Sequence, residues 1–274
     1  MPLRPFACTA RRVVVSEARV LSAALALGAA LVLISRVSWA LDPFEIQVYD
    51  ATANAAGEAG LELHLNRVVS GSLAAAAPEL PPNHQSHATL EPSFGVLPWW
   101  ELGAYFQTTL RADGVFDYSG VKLRSKFVTP EGSYPHLRYG VNMELSLLPQ
   151  RYDAGQWGAE VRPIIAWEDS SWLFAANPIL SFGLKSLGEG PEFEPAVEAK
   201  LKLLGVIGVG FEYYAAFGRL AAPLRRDAQG QYLYECIDWL SISAVEINFG
   251  VGEGLTRASS DFTVKLILGY SWET

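Results

Sequence analysis

Hydrophobic and polar residues alternate along most of this chain, and the final stretch shows the pattern most clearly. From Phe262 to Trp272 every second residue is apolar, while the residues between them are mostly small or polar. Successive side chains of a β-strand point to opposite faces, so this stretch predicts a strand with one apolar and one polar face. Its length of about twelve residues exceeds the usual five or six and suits a tilted strand that crosses a bilayer, which needs roughly 9–11.

The same alternation recurs in about twelve segments between Gly60 and Trp272, with 137–147 the most regular and 231–240 apolar on both faces. The short junctions lie near 95–98, 168–171, 204–205 and 240–243, and the longer ones near 70–86, 111–117, 184–191, 219–230 and 253–260. Short turns at one end and longer loops at the other are typical of bacterial outer-membrane barrels whose termini lie in the periplasm. We therefore predict an all-β fold over residues 59–274, a transmembrane antiparallel up-and-down β-barrel of about twelve strands.

A soluble antiparallel sandwich is the alternative fold, because its strands alternate as well. Aromatic residues at the strand ends favour the barrel, since they suit the interfacial girdles of a membrane protein. These residues are Trp99, Trp100, Trp157, Trp167, Trp172, Tyr270 and Trp272.

The N-terminal forty residues have the organisation of a secretory signal peptide. Basic residues precede an apolar run from Val20 to Ile34, and Ser38 and Ala40 supply small residues at the cleavage site. We predict removal of residues 1–40, with an uncleaved helical anchor as the alternative. Residues 41–58 then form an N-terminal extension, for which we consider a plug in the lumen, a segment at the periplasmic rim, or a further strand.

Charge and cysteine content exclude several classes of function. Removing five arginines and one glutamate with the signal peptide leaves 16 basic and 28 acidic residues, a net charge of −12. Nucleic acid is therefore not an expected partner, because binding its phosphates requires a basic face. Cys236 is the remaining cysteine after cleavage, so neither an intramolecular disulfide nor a cysteine-based zinc site is expected.

Charged residues at the polar positions of the strands are predicted to line the lumen. They are Glu62, His64, Glu91, Glu101, Lys122, Arg124, Lys126, Arg138, Glu144, Glu160, Arg162, Glu198, Lys200, Lys202, Glu212, Glu246 and Lys265. Counting from the short turns sets Glu101, Lys126 and Arg138 at similar depth, where opposite charges on neighbouring strands would pair. Two interpretations stay open: a self-neutralising network that fills a narrow barrel, or a basic wall facing acidic walls across a small aqueous pore.

The sequence contains no motif for catalysis or cofactor binding. No GxSxG, Walker, HExxH or dinucleotide fingerprint occurs, and no serine is clearly placed beside His64. His84 and His87, spaced NHQSH, would bind a metal only with an added carboxylate, and we interpret them as solvated loop histidines. We therefore expect no enzymatic activity, no cofactor and no metal site.

Prolines inside the predicted strands conflict with a regular barrel wall. Proline removes a donor from the hydrogen-bond ladder and is usually confined to edges or bulges. Among Pro92, Pro163, Pro178 and Pro195, we predict kinks at Pro163 and Pro178, which lie in neighbouring strands. Such kinks are either local irregularities or a weakened wall through which an apolar ligand passes sideways into the membrane.

Five stretches resemble bacterial outer-membrane barrel proteins of the phenol-degradation MetA-pathway type, which are distantly similar to fatty-acid and hydrocarbon channels. They are PFEIQVYDATANAAGEAGLELHLN, LEPSFGVLPWWELGAYFQ, WGAEVRPIIAW, FEPAVEAKLKL and EINFGVGEGLT. The resemblance implies a channel or transporter for small, hydrophobic or aromatic molecules in the bacterial outer membrane. Outer-membrane lipid and the barrel-assembly machinery are then the expected partners. The alternative is a non-conducting structural or surface protein with a charge-plugged lumen. Neither interpretation predicts an oligomeric state.

Overall fold

The computed structural model describes residues 42–274, so the predicted signal peptide lies outside the described residues. The first six strands are β1 (Glu58–Ser70), β2 (Ser86–Leu97), β3 (Trp100–Leu110), β4 (Phe116–Val128), β5 (Leu137–Leu147) and β6 (Trp157–Glu168). The remaining strands are β7 (Trp172–Asn177), β8 (Leu180–Gly183), β9 (Glu192–Phe193), β10 (Ala196–Leu203), β11 (Ile207–Ala216), β12 (Gly218–Arg219), β13 (Ala222–Pro223), β14 (Gly230–Trp239), β15 (Val245–Gly254) and β16 (Phe262–Glu273). Two single-turn 3₁₀ helices cover Leu187–Glu189 and Arg226–Ala228. No helix within residues 42–274 is both long enough and apolar enough to span a membrane.

All of these strands belong to one antiparallel sheet, which closes on itself. The first strand pairs with the last, and β6 pairs with both its neighbours β5 and β7. Because β7 and β8 share one position in the wall and β9 and β10 share the next, the closed barrel has twelve strand positions and four additional short strands. The predicted fold class and strand number are confirmed.

The two faces of the wall differ in the way that the alternation predicts. Large apolar side chains are exposed on the outside, including Phe106 at 51%, Leu123 at 64% and Ile237 at 54%. Backbone groups are paired within a closed sheet, as a structure in hydrocarbon requires. The apolar exterior therefore faces lipid. One exception is Glu235, which points outward in the middle of β14, in the segment whose two faces the sequence did not distinguish.

The connections separate the barrel into a short-turn end and a long-loop end. Residues 98–99, 169–171, 204–206 and 240–244 make the shorter turns, whereas 71–85, 148–156 and 255–261 belong to the opposite end. The connection between β4 and β5, residues 129–136, is longer than its neighbours at the short-turn end. Strand β1 begins and strand β16 ends at the short-turn end, which matches the predicted topology.

Proline residues coincide with lapses in the strand ladder. Pro178 separates β7 from β8, and Pro195 separates β9 from β10. Pro163 lies in the unbroken strand β6 and pairs in register with β5, but on its other side the pairing lapses between Val161 and Ile165. The lapses at Pro163, Pro178 and Pro195 therefore involve adjacent strand positions, including Pro195 where we predicted no kink, and the β2–β3 pairing also lapses at Pro92.

Residues 42–57, called the lumen segment below, form no strand and lie inside the barrel. At the long-loop end Phe44 packs against Leu148 and Tyr152. At the short-turn end the N–H of Gly57 donates to the carbonyl of Gly95, at 2.8 Å. These contacts run from the long-loop end to the short-turn end along the inner face of the wall.

A charge on the outer face tests whether that face contacts lipid. We expect Leu123→Arg to lower the free energy of unfolding by about 2–4 kcal/mol, the cost of arginine near the middle of the bilayer. Leu73→Arg, in a long loop where the leucine is 80% exposed, serves as the control and should cost little. Urea titration of the protein in phospholipid vesicles measures both, and equal costs would contradict the lipid contact.

Candidate functional site

The charged residues predicted to line the lumen all lie on the inward face of the wall. Most are buried, and only Arg138, Lys126, Glu62, Glu160, Lys200, Lys202 and Glu246 keep partial exposure. None of them contacts lipid, because each alternates with an outward apolar or small residue. The chemistry of the lumen therefore depends on how these charges pair.

Arg124 is the centre of the first group of ion pairs. Its guanidinium lies 2.6 Å from Glu91 Oε1 and 2.5 Å from Glu101 Oε1. Lys126 contacts the same Glu101 carboxylate at 2.9 Å, and these two residues are register partners on β3 and β4. Arg138 does not join this group, although residue counting set it at similar depth. It pairs instead with Glu168 and with Asp50 of the lumen segment.

The second group joins the wall to the lumen segment. Lys122 bonds to Asp42, lies 3.6 Å from Glu45, and lies 3.2 Å from Glu144 on β5. Arg162 reaches the same Glu45 at 3.4 Å. Both cations therefore have part of their counter-charge supplied by residues 42–57 rather than by the wall.

A third group occupies the opposite wall. Lys265 contacts Glu212 at 2.5 Å and donates to the carbonyl of Ile46 at 3.0 Å. Lys200 bridges Glu198 at 2.7 Å and Asp238 at 3.0 Å. Remaining inward charges pair close by: Lys202 with Glu168, and Arg162 with Glu160 at 2.7 Å.

Tyr49 is the main anchor of the lumen segment. Its hydroxyl lies 2.8 Å from Glu45 and 2.7 Å from the hydroxyl of Tyr105. Its ring carries three cations within cation–π distance, namely Arg162 at 4.5 Å, Lys126 at 5.2 Å and Arg124 at 5.9 Å. Asn177 accepts from the Tyr49 backbone N–H at 2.7 Å and donates to its carbonyl at 2.9 Å, which satisfies that peptide as a strand neighbour would.

A cluster of apolar side chains lies on the inner face of five strands, most of which also carry inward charges, and we call this cluster the apolar strip. Ile46 and Val48 of the lumen segment pack there against inward-facing side chains of β6, β7, β10, β11 and β14. The wall residues of the strip are Ala166, Leu173, Ala175, Ile179, Ala196, Tyr214, Ala216, Tyr232, Tyr234 and Cys236. The strip lies in the part of the wall that includes the interrupted strands.

A cavity of about 360 Å³ lies beside the lumen segment. Gln47, Val48 and Asp50 form one side, and the short-turn residues Ile242 and Ser243 lie at its mouth. Its remaining walls carry both carboxylates and cations: Glu62, Glu91, Glu198, Glu212, Asp238, Glu246, Arg124, Lys126, Lys200 and Lys265. The lumen is thus mostly filled, with one polar space left toward the short-turn end.

The histidines are placed differently from one another. His64 is fully buried on β1, 3.1 Å from Glu91, whereas His84 is an exposed loop residue. The interpretation of His87 as a solvated loop histidine is wrong, because β2 begins at Ser86 and directs His87 inward. There it lies 3.0 Å from Thr109 Oγ1 and packs edge-on against Phe44.

Several residues that organise the lumen were missed from sequence. Tyr105 and Asn177 carry no charge and sit at ordinary strand positions, so nothing local marks them as partners of a distant segment. Asp238 lay in the stretch of uncertain register. For Tyr49 a signal existed, since Phe44 to Tyr49 alternates like a strand although it is not one.

Comparison with solved structures identifies the same architecture in outer-membrane proteins. The chain aligns with the KdgM porin over 78% of its own length and 99% of the porin, with 9% identity and a TM-score of 0.52. It aligns with an outer-membrane channel from Pseudomonas putida F1 over 83% of its length and 100% of that channel, with 9% identity and a TM-score of 0.57. These similarities concern the fold alone.

No protein family model matches the chain, and no curated protein matches it either. The similarity to the phenol-degradation MetA-pathway group therefore stays a prediction. What the comparisons support is the fold, a β-barrel similar to those of the KdgM porin and the Pseudomonas putida F1 outer-membrane channel.

The buried ion pairs predict a stability cost that exposed pairs do not share. Arg124→Met leaves Glu91 and Glu101 with less counter-charge, and we expect a loss of about 3–5 kcal/mol in unfolding free energy. Arg111→Met removes an exposed pair with Asp113 at the long-loop end and should cost about 1 kcal/mol or less. Urea unfolding in vesicles measures the two values, and a cost for Arg124→Met as small as the control would contradict the buried pairing of these charges.

Proposed function

We propose that the protein is a channel of the bacterial outer membrane that admits small hydrophobic or aromatic molecules, with the lumen segment as its closure. The observation that supports this most directly is the position of the apolar strip. Ile179 follows Pro178 and Ala196 follows Pro195, so the apolar inner surface meets the wall where the ladder lapses. A molecule held against the strip would have a short route between lumen and lipid.

The rest of the lumen suits such a molecule poorly. Carboxylates, lysines and arginines fill the side formed by β1 to β5, and an apolar solute there would have to separate buried ion pairs. Breaking a buried pair costs about 3–5 kcal/mol. The proposed route therefore follows the apolar strip, beside the ion pairs of Arg162 with Glu160 and of Lys200 with Glu198, and does not pass through the centre of the barrel.

The closure consists of Ile46 and Val48, which occupy the strip themselves. A solute would have to displace these two side chains, whose apolar contacts it would replace. The neighbouring ion pairs of Asp42 and Glu45 and the contacts of Tyr49 would hold the segment near its resting position. A displacement limited to residues 46–48 would open the strip while the polar side stays paired.

The second candidate is a non-conducting structural protein. It is favoured by the same paired charges, because a lumen filled by ion pairs and a buried segment stabilises a barrel without any transport. The two candidates differ in whether the apolar strip and the lapsed ladder affect the movement of apolar molecules.

Uptake of an uncharged fluorescent naphthylamine into intact Gram-negative cells tests the proposal. The glycolipid outer leaflet of these cells slows such probes, so a channel should raise the initial uptake rate. We expect Tyr49→Ala to raise it further by loosening the closure. Replacing Pro163, Pro178 and Pro195 together with alanine restores ladder donors and should lower the rate at least threefold.

Pro92→Ala is the matched control, because Pro92 also lies within a strand at a lapse of the pairing, but on β2, which contributes no residue to the strip. It should leave uptake unchanged. Surface amounts and heat-dependent gel migration of each variant confirm that the barrels are folded. Uptake at the level of cells without the protein, in both the wild type and Tyr49→Ala, would contradict the channel and favour the structural role.

A further inference from the structure

Three side chains with metal-ligating atoms converge on the inner face of β1 and β2. His64 Nε2 lies 3.1 Å from Glu91 Oε2 and 3.4 Å from Glu62 Oε2. All three ligand atoms lie within 4.8 Å of one another. We call Glu62, His64 and Glu91 the carboxylate–histidine cluster. It is separate from the apolar strip, and its role does not depend on the proposed transport.

The spacing of these atoms fits a tetrahedral metal ion. Zinc binds histidine nitrogen at about 2.0–2.1 Å and carboxylate oxygen at about 2.0–2.2 Å, so neighbouring ligand atoms stand about 3.3–3.5 Å apart. The Nε2–Glu62 separation of 3.4 Å lies within that range, and the Nε2–Glu91 separation of 3.1 Å lies slightly below it. An ion between the three atoms would need only small side-chain movements.

The register of the sheet concentrates negative charge at the same level. Glu62 is directly opposite Glu91 on one side and opposite Gly269 on the other. Gly269 in turn is opposite Glu246, so three carboxylates occupy four adjacent strands. Like charges directly opposite one another destabilise a sheet. Arg124 offsets part of this charge, but it holds Glu91 by the other oxygen, Oε1.

Hydrogen bonding among the described residues leaves two atoms of this cluster unsatisfied, Glu62 Oε2 and His64 Nδ1. Glu62 Oε2 is buried and has no hydrogen-bond partner among the described residues. The Nε2–H of His64 can donate well to one carboxylate only, and Glu91 is the nearer. A divalent cation would engage both carboxylates and the imidazole at once. His64 Nδ1 lacks a partner in either arrangement, so it does not distinguish them.

The cluster also has a route of entry and room for a further ligand. Glu62, Glu91 and Glu246 line the cavity of about 360 Å³ that reaches the short-turn end. A hydrated ion entering from that side would meet the cluster without crossing the apolar strip. The cavity leaves space for water as a fourth ligand.

We propose that the carboxylate–histidine cluster is a zinc-class divalent cation site, with Glu62, His64 and Glu91 as ligands. One nitrogen and two carboxylate oxygens are a ligand set that zinc accepts, whereas calcium and magnesium prefer oxygen alone. The site ties β1 to β2 beside the seam where β1 meets β16.

The test is zinc binding by the untagged, folded protein in detergent. After incubation with zinc chloride and gel filtration, we expect about one zinc ion per chain by elemental analysis. Cobalt chloride should give the visible absorption of a four-coordinate site. Glu62→Gln should weaken zinc binding by at least about tenfold, and His64→Asn should leave the chain without a stoichiometrically bound zinc ion.

His87→Asn is the matched control, since His87 is equally buried in the lumen but has Thr109 as its partner. It should retain the ion. Heat-dependent gel migration shows that each variant is folded. If folded His64→Asn or Glu62→Gln retains as much zinc as the wild type, the zinc is an adventitious ion only and the proposed site is overturned. A wild-type protein that retains no zinc would also overturn it.

Discussion

The structure depends on the cost of burying charge inside a twelve-stranded barrel. An ion removed from water loses several kcal/mol of solvation unless a partner of opposite sign is held close to it. Lys122 and Arg162 have acidic neighbours on the wall, but Asp42 and Glu45 of the lumen segment complete their surroundings. The segment therefore belongs to the electrostatic structure of the barrel, and its displacement as a whole would leave buried charges with fewer partners.

The same constraint divides the lumen into two sides. The strands β1 to β5 are continuous and their charged side chains bond across neighbouring strands, although the β2–β3 pairing lapses at Glu91 and Pro92. Where the wall is interrupted by proline, the inner surface combines the apolar strip with the ion pairs of Arg162 with Glu160 and of Lys200 with Glu198. An irregular wall beside an apolar surface is the arrangement that a sideways route for apolar molecules requires.

Much of the fold could be predicted from sequence because a period of two fixes which side chains face lipid. The alternation also assigned Glu91, Arg124 and Lys265 to the interior, since each lies between outward apolar residues. It failed at β14, where Tyr232, Tyr234 and Cys236 make the inner face as apolar as the outer one.

What the sequence could not provide was contact between residues far apart in the chain. The carboxylate–histidine cluster requires the register between β1 and β2, which depends on the length and course of the loop 71–85. To predict the position of the lumen segment, one must know that Asn177 hydrogen-bonds to the Tyr49 peptide. The two residues are 128 positions apart in the chain. Short-range patterns carry no information on either.

Single-channel conductance in planar bilayers tests the central claim, that residues 42–57 fill the lumen and complete its ion pairs. The full-length mature protein should show no stable ionic conductance. A chain lacking residues 42–56, folded by the criterion of heat-dependent gel migration, should show stepwise conductance, because an aqueous path along the charged side is then open. Equal conductance of the two proteins would contradict the account.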